Sequence, residues 1–277
     1  LQGYRQDRFK GLGAGTYEHL WNRRRPVTFA IRDAHSLYVE VLAELGVVGL
    51  VLLVVPLALV AFALARGLRR SRDRYVHAAL GAALLAWLVR AALDWDWEMP
   101  AITIWLFCAG GAGLAVSRRG HRRVMRLAPL PRLGITLLCL GIALVPASIA
   151  VSQYRLEKAR TALGRGDCGA AQTEARRALD VVGFMAEPHE VLALCAVRAG
   201  HLADAGSEAA KAVRRDPQNW LYHYDSALIA AAAGGDAAPA ARAAALLNPR
   251  DPEARAAPTA LVGPGARQRA LNLLGTR

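Results

Sequence analysis

GVVGLVLLVVPLALVAFALA, Gly46 to Ala65, is a run of 20 residues without a charge. As a helix it spans about 30 Å, the thickness of the hydrocarbon core of a bilayer. LGITLLCLGIALVPASIAVS, Leu133 to Ser152, is a second uncharged run of 20 residues. Between them, Ala78 to Leu93 is broken only by Arg90, and Ala101 to Ser117 is uncharged over 17 residues. These two read as a helical hairpin turning at DWDWEMP, Asp94 to Pro100. The expectation is a transmembrane domain of about four helices over residues 46–152, with no run placed or flanked like a signal peptide.

Composition agrees. The chain has 277 residues, 54% hydrophobic, with a mean hydropathy of +0.21, too apolar for an ordinary soluble domain. That hydrophobicity argues against disorder, and four cysteines are too few for a disulfide-dense scaffold. Leu1 opens the chain without a Met, so a fragment or a processed product is expected. The formal charge is +13, and its placement follows the membrane. Arg66, Arg69, Arg70, Arg72 and Arg74 follow the first run; Arg118, Arg119, Arg122, Arg123, Arg126 and Arg132 follow the third; Asp73 is the one acid among them. By the positive-inside rule both loops are cytoplasmic. Topology thus accounts for most of the charge and removes the case for nucleic acid, whose footprint is a basic face on a soluble domain. The turn with Asp94, Asp96 and Glu98 is then outside, as are the N-terminal segment and everything after Ser152.

From Gln153 the chain is Ala-rich and repeats. Gly166-Asp167, Gly200-His201 and Gly235-Asp236 stand 34 and 35 residues apart, the tetratricopeptide period. Five, nine and twelve residues past these glycines come Ala171, Ala205 and Ala240; Ala175, Ala209 and Ala244; Ala178, Ala212 and Leu247. Small residues there let paired helices approach closely. Seventeen residues past come Gly183, Pro217 and Pro252, where Pro ends one unit and opens the next. Residues 153–253 therefore resemble tetratricopeptide repeats, and 254–277, with Pro258, Gly263, Pro264 and Gly265, read as a loosely ordered tail. The plainer alternative is an Ala-rich bundle without a partner. Trp220 and Tyr224 share a helix face, and core packing is the commoner reason for such a pair.

Residues 1–45 carry seven basic and five acidic groups on the outer side. Translocated arginines run against the positive-inside trend, and anion binding is one reason for them, since a guanidinium holds phosphate bidentately. A solvated arginine-rich loop is the other. GLGAGTY, Gly11 to Tyr17, differs from the dinucleotide fingerprint and follows no strand, which rules out a nucleotide site there. In DAHSLYVEVLAELGVVGL, Asp33 to Leu50, Asp33 is placed to cap a helix, and Leu37, Val41 and Leu45 line one face of it. His35 then falls in the first turn, at the membrane surface.

GLGAGTYEHLW, a basic loop, DAHSLYVEVLAELGVVGL entering a span, and a hairpin of the LDWDWEMPA type occur in an order and spacing that resembles the C-terminal part of the O-antigen ligase and polymerase superfamily. The resemblance covers Gly11 to Ser152, and tetratricopeptide tails occur in many relatives. It implies a metal-independent membrane glycosyltransferase, without cofactor, with further spans upstream. Such an enzyme passes a glycan from a polyprenyl pyrophosphate carrier at the outer face to a glycan, lipid or protein acceptor. It also implies a His followed by Asn or Ser in the large outer loop, matched by His35-Ser36, as the catalytic residue. Loop arginines contact the pyrophosphate; Arg23, Arg24, Arg25 and Arg32 are the candidates, without a unique assignment. The chemistry is coherent: the leaving diphosphate gains negative charge that arginines stabilise, and an imidazole can take the acceptor proton. Arg90, a charge inside a span, is a further candidate, with an ion pair to Asp94 one turn on as the alternative.

The expected fold class is thus all-α, a multi-span membrane domain followed by an extracytoplasmic tetratricopeptide-like repeat domain that has room for a protein partner. The competing function is a non-enzymatic membrane-anchored scaffold for envelope proteins. Cys168 and Cys195 fall in adjacent antiparallel helices within reach of a disulfide, with two buried thiols as the preferred reading.

Overall fold

The computed structural model describes residues 4–5, 7–70, 73–99, 103–111 and 129–275. All regular structure among these residues is helical. The chain divides into two compact units, Leu1–Trp21 with Ala30–Arg126, and Asn22–Phe29 with Leu127–Arg277. Helix α1 (Tyr17–Arg24) runs across the division.

The first unit is built on α2 (Leu37–Arg70) and α3 (Arg74–Ala91), followed by a 3-10 turn at Asp96–Glu98 and a helical stretch over 103–111. Leu37, Leu64, Leu84, Trp87, Ala91 and Leu106 form its core. Helix α2 begins at Leu37, so His35 lies in the loop ahead of the helix rather than in its first turn, and Asp33 does not cap it.

Gly46 kinks α2, with φ 62° and ψ −160°. A kink leaves carbonyls unpaired before it and amides unpaired after it. Residues 8–13 satisfy both sets. The amides of Leu12 and Gly13 donate to the carbonyls of Ala43 (3.2 Å) and Glu44 (2.8 Å), while Val47 and Val48 donate to those of Arg8 (2.9 Å) and Phe9 (3.3 Å). Such a close backbone approach leaves no room for side chains. A Cβ on Gly46 would collide with the Phe9 carbonyl, and one on Gly11 with the backbone of Glu44. Residues 8–13, which include the first three residues of GLGAGTY, are therefore a splint across the kink.

In the second unit α4 (Pro129–Gly164) is one helix of 36 residues, about 54 Å long. Its N-terminal part exposes its apolar side chains, Leu130 at 81% and Leu144 at 69%, whereas Leu156 and Ala159 near its end are fully buried. The boundary expected at 152/153 thus falls inside a continuous helix. Helices α2 and α4 are long and apolar enough to cross a membrane. Of the other two expected spans, α3 has 18 residues and includes Arg74, His77 and Arg90. The run after Ala101 is described only over 103–111. Arg72, Arg118, Arg119, Arg122, Arg123 and Arg126, which carried much of the topology argument, lie outside the described residues.

Helices α5 (Cys168–Val181), α6 (Glu187–Arg198), α7 (Leu202–Arg215), α8 (Trp220–Ala232) and α9 (Ala238–Leu247) follow, each packed on its predecessor or its successor. Gly166, Gly200 and Gly234 take left-handed φ of 80°, 77° and 76° at the turns, so the third turn glycine is Gly234 and not Gly235. Ala171, Ala175 and Ala178 of α5 and Ala205, Ala209 and Ala212 of α7 are buried to within 3%. In α9 the register slips: Ala241 and Ala244 are buried, with Asn248 following, in place of Ala240 and Leu247. Tyr224 is buried against Trp220, ring centroids 6.2 Å apart. The tail is not loose. Residues 252–275 form α10 (Pro252–Ala260) and α11 (Ala266–Gly275), and Ala270 and Leu274 join the core of α8. Asp251 caps α10 by accepting from Glu253 and Ala254, and the glycines that suggested disorder make the turn, at φ 79° and 73°.

Candidate catalytic site

Around His35 the first unit gathers charged groups from three segments. His35 Nδ1 stands 3.6 Å from Asp94 Oδ1, and Arg90 Nη2 donates to the other oxygen of the same carboxylate at 3.2 Å. The imidazole is 62% exposed and Arg90 60%. Asp94 thus bridges the loop ahead of α2 to the last turn of α3, whose backbone sets its position through the Asp94 amide bond to the Arg90 carbonyl. Tyr38 Oη, donating to the Leu88 carbonyl at 3.2 Å, fixes the two helices locally. A carboxylate at that distance attracts the ring once it is protonated and leaves the other nitrogen for substrate.

A second group joins that loop to α2 and the 3-10 turn. Carboxylate oxygens of Asp33, Glu40 and Glu98 come within 4.8 Å of one another. Glu40 is 8% exposed and accepts from the Ala34 amide at 2.7 Å, which ties the residue next to His35 to α2. Glu40 precedes the kink at Gly46 and lies outside the uncharged run. Burial, with Glu44, Asp33 and Glu98 nearby, pushes its carboxyl up to about 7 against the pull of the Ala34 amide. Burial and Asp33 likewise raise Glu98. At neutral pH the group can therefore hold a shared proton. Three convergent carboxylates also suit a hard cation such as Mg²⁺ or Ca²⁺, which the sequence did not suggest. Glu44 plays a different part, since its carboxylate accepts from the amides of Gly15 and Tyr17, both at 2.9 Å, and so starts α1.

The five candidate arginines separate. Arg32 and Arg90 are in the unit of His35; Arg32 is 85% exposed and 3.8 Å from Glu18. Arg23, Arg24 and Arg25 belong to the other unit. There Arg23 Nη2 donates to Gln218 Oε1, and Arg24 is exposed. Arg25 is only 5% exposed and its Nη2 donates to Asn248 Oδ1 at 3.0 Å. Its Nε and Nη1 are buried without a partner among the described residues. Arg25 is thus a core group of the helical body.

No family model, curated protein or solved structure matches the chain.

Sequence reasoning missed Glu40, since an acid on a helix beside the membrane reads as a solvated face. Asp33 and Glu40 lie seven residues apart, but Asp33 is in the loop and their third partner, Glu98, is 58 residues on from Glu40, so nothing local marked the group. It also missed the burial of Arg25, for which adjacent Arg23 and Arg24 offered no contrast.

Proposed function

We propose that this chain is part of an integral membrane glycosyltransferase of the O-antigen ligase type, which moves a glycan from a polyprenyl pyrophosphate carrier to a glycan, lipid or protein acceptor at the outer face. The observation that carries the reading is the Asp94 bridge. It joins DAHS to LDWDW, two segments of the resemblance that are about 60 residues apart, on one carboxylate.

In this reading the His35 imidazole, with the Asp94 carboxylate 3.6 Å from Nδ1, accepts the acceptor hydroxyl's proton at Nε2 as the glycosyl bond forms, and Asp94 stabilises the imidazolium that results. The diphosphate leaves with its added charge on exposed guanidiniums. Arg90 and Arg32 share the unit of His35 and are the candidates for that charge, while Arg23 and Arg24 lie in the other unit. Arg25 serves the fold. The helical body, with tetratricopeptide-like hairpins, lies on the outer side, and α2, α3 and α4 are read as membrane spans.

Transfer of a polyprenyl-linked glycan in membranes carrying the protein tests this. His35→Ala should lower turnover about 100-fold or more while donor binding persists. Asp94→Asn should lower turnover less and leave the protein inserted. Wild-type turnover in His35→Ala would sink the catalytic role.

A second reading has its own observation. A polar groove of about 420 Å³ runs between α5, α6 and α7, lined by Arg176, His201, Asp204, Glu208 and Lys211 among others. A groove of that kind suits a scaffold that takes an extended protein segment and has no activity. Transfer no greater in membranes carrying the protein than in membranes lacking it would favour it.

A further inference from the structure

The helical body carries a thiol pair. Cys168 is the first residue of α5, placed by Asp167, whose side chain caps that helix by accepting from the Ala170 amide at 2.9 Å. Cys195 lies three residues before the end of α6. Because the two helices form a hairpin, the start of one stands beside the end of the other, and both cysteines pack in one small cluster with Leu156, Ala159 and Ala171. Cys195 is completely buried, whereas Cys168 is half-buried and open to a reagent. Among the described residues no third His, Cys or carboxylate completes a metal set around them.

We propose that Cys168 and Cys195 are oxidised to a disulfide that staples α5 to α6. The staple sits at the point where this hairpin packs on the buried end of α4, so it fixes the helical body next to the apolar helix that precedes it. Its formation in the cell rests on the reading that the body lies on the outer side of the membrane, where disulfides persist.

The oxidant is a disulfide, either oxidised glutathione or the oxidised form of a thiol oxidoreductase. The Cys168 thiolate attacks one sulfur of that disulfide and expels a thiolate, giving a mixed disulfide on Cys168. Cys195 then loses its proton and attacks the Cys168 sulfur. The protein S–S bond forms and the second thiolate leaves. Two protons have left the cysteines, and the oxidant has gained two electrons as two thiols. The order follows from access, because only Cys168 is reachable from outside. Burial, and then the neighbouring Cys168, pushes the Cys195 thiol up to about 12. Burial still disfavours the Cys195 thiolate in the mixed disulfide, so the closing step is the slow one and should quicken as pH rises and the thiolate fraction grows.

The test uses the whole protein in detergent, treated with oxidised glutathione, alkylated and digested without reductant. Trypsin places Cys168 in the fragment Gly166–Arg176 and Cys195 in Ala178–Arg198. The two fragments should be joined, with Cys168 caught as a glutathione adduct at early times and throughout in Cys195→Ser. Oxidation should raise the thermal midpoint by about 10 °C. The variant lacking both thiols should gain nothing, which separates the staple from any effect at Cys108 and Cys139. Both fragments alkylated after oxidation of the native protein would overturn the proposal. Protein alkylated directly in intact cells adds a second arm. Fragments joined there support both the pair and the outer location. Fragments joined only after oxidation in detergent support the pair and overturn the topology.

Discussion

Two leucines at similar positions in apolar helices meet opposite fates. Leu140, in the middle of α4, is 58% exposed, and its neighbours Leu137, Leu138 and Leu144 are equally bare. Leu228, in the middle of α8, is 0% exposed, and Ala227, Ile229, Ala231 and Ala232 around it are buried too. Hydrophobicity alone does not distinguish the two helices. What differs is the solvent each has been fitted to. Helix α8 meets small alanines from α7, α9 and α11, which fill its surroundings at close range, whereas α4 offers its leucines all round, as a helix does when lipid is its neighbour.

The same substitution at both sites puts that contrast to the largest test. Leu228→Ala should destabilise the helical body by about 2–5 kcal/mol, because it removes apolar atoms from a packed interior and leaves a cavity. Leu140→Ala should cost less than about 1 kcal/mol, since no cavity is made and the helix keeps most of its apolar length. Denaturant unfolding of the two variants, followed by the fluorescence of Trp220, measures the difference. Equal losses would mean that α4 is packed against protein where it now stands bare.

This contrast was only partly legible in the sequence. Uncharged runs of 20 residues announce themselves, and so does a 34-residue spacing with alanines at Ala171, Ala175, Ala205 and Ala209, since both come from local rules of span length and helix approach. The kink at Gly46 was hidden because its cause, the carbonyls of Arg8 and Phe9, stands almost 40 residues away. GLGAGTY looked like a weak ligand motif for the same reason: nothing in it says that Gly11 must lie on Glu44. His35 could be picked out by its loop and its neighbour Ser36, yet its partner Asp94 required the α2 and α3 pairing. The tail failed in the opposite direction. Pro258, Gly263 and Gly265 suggested looseness, while the cap at Asp251 and the buried Ala270 and Leu274 decide its order.

Arg25 offers a smaller test, of how far the helical body tolerates charge in its interior. Its Nε and Nη1 are buried with no partner among the described residues, a cost that an apolar chain of similar length would not incur. Arg25→Met removes those unpaired donors but also takes the partner from the buried Asn248 Oδ1, so the two effects offset and stability should stay within about 1 kcal/mol of wild type, with donor binding intact. Arg25→Ala should cost about 1–2 kcal/mol, because Asn248 loses its partner and the space is not refilled. Chemical denaturation combined with a donor-lipid binding assay reads both. Donor binding lost in Arg25→Met with the fold intact would return Arg25 to the pyrophosphate.

The smallest effect concerns pH, again inside the body. His189 is buried on α6, and its Nδ1 meets Glu208 Oε2 of α7 at 2.6 Å, while Nε2 is buried with no partner among the described residues. In the neutral ring Nδ1 carries the proton and donates to Glu208; a second proton on Nε2 would find no acceptor. Burial accordingly lowers the affinity of His189 for a proton, and the opposing pull of Glu208 does not restore it. Burial raises Glu208, but the hydrogen bonds from Lys211 and His189 outweigh it and leave that carboxyl below its ordinary value. Both groups bind protons less readily folded than unfolded. Their stabilisation is complete above the unfolded histidine value of about 6.5 and declines as pH falls, through His189 first and through Glu208 below about 4.5. The urea midpoint of the wild type should therefore drop between pH 7.5 and 5.5. In His189→Asn, whose amide nitrogen replaces Nδ1 as donor without titrating, the drop should be smaller. An identical drop in the two proteins would show that His189 charges as easily in the folded body as in water, and that the α6–α7 contact is as wet as the surface of α4 is bare.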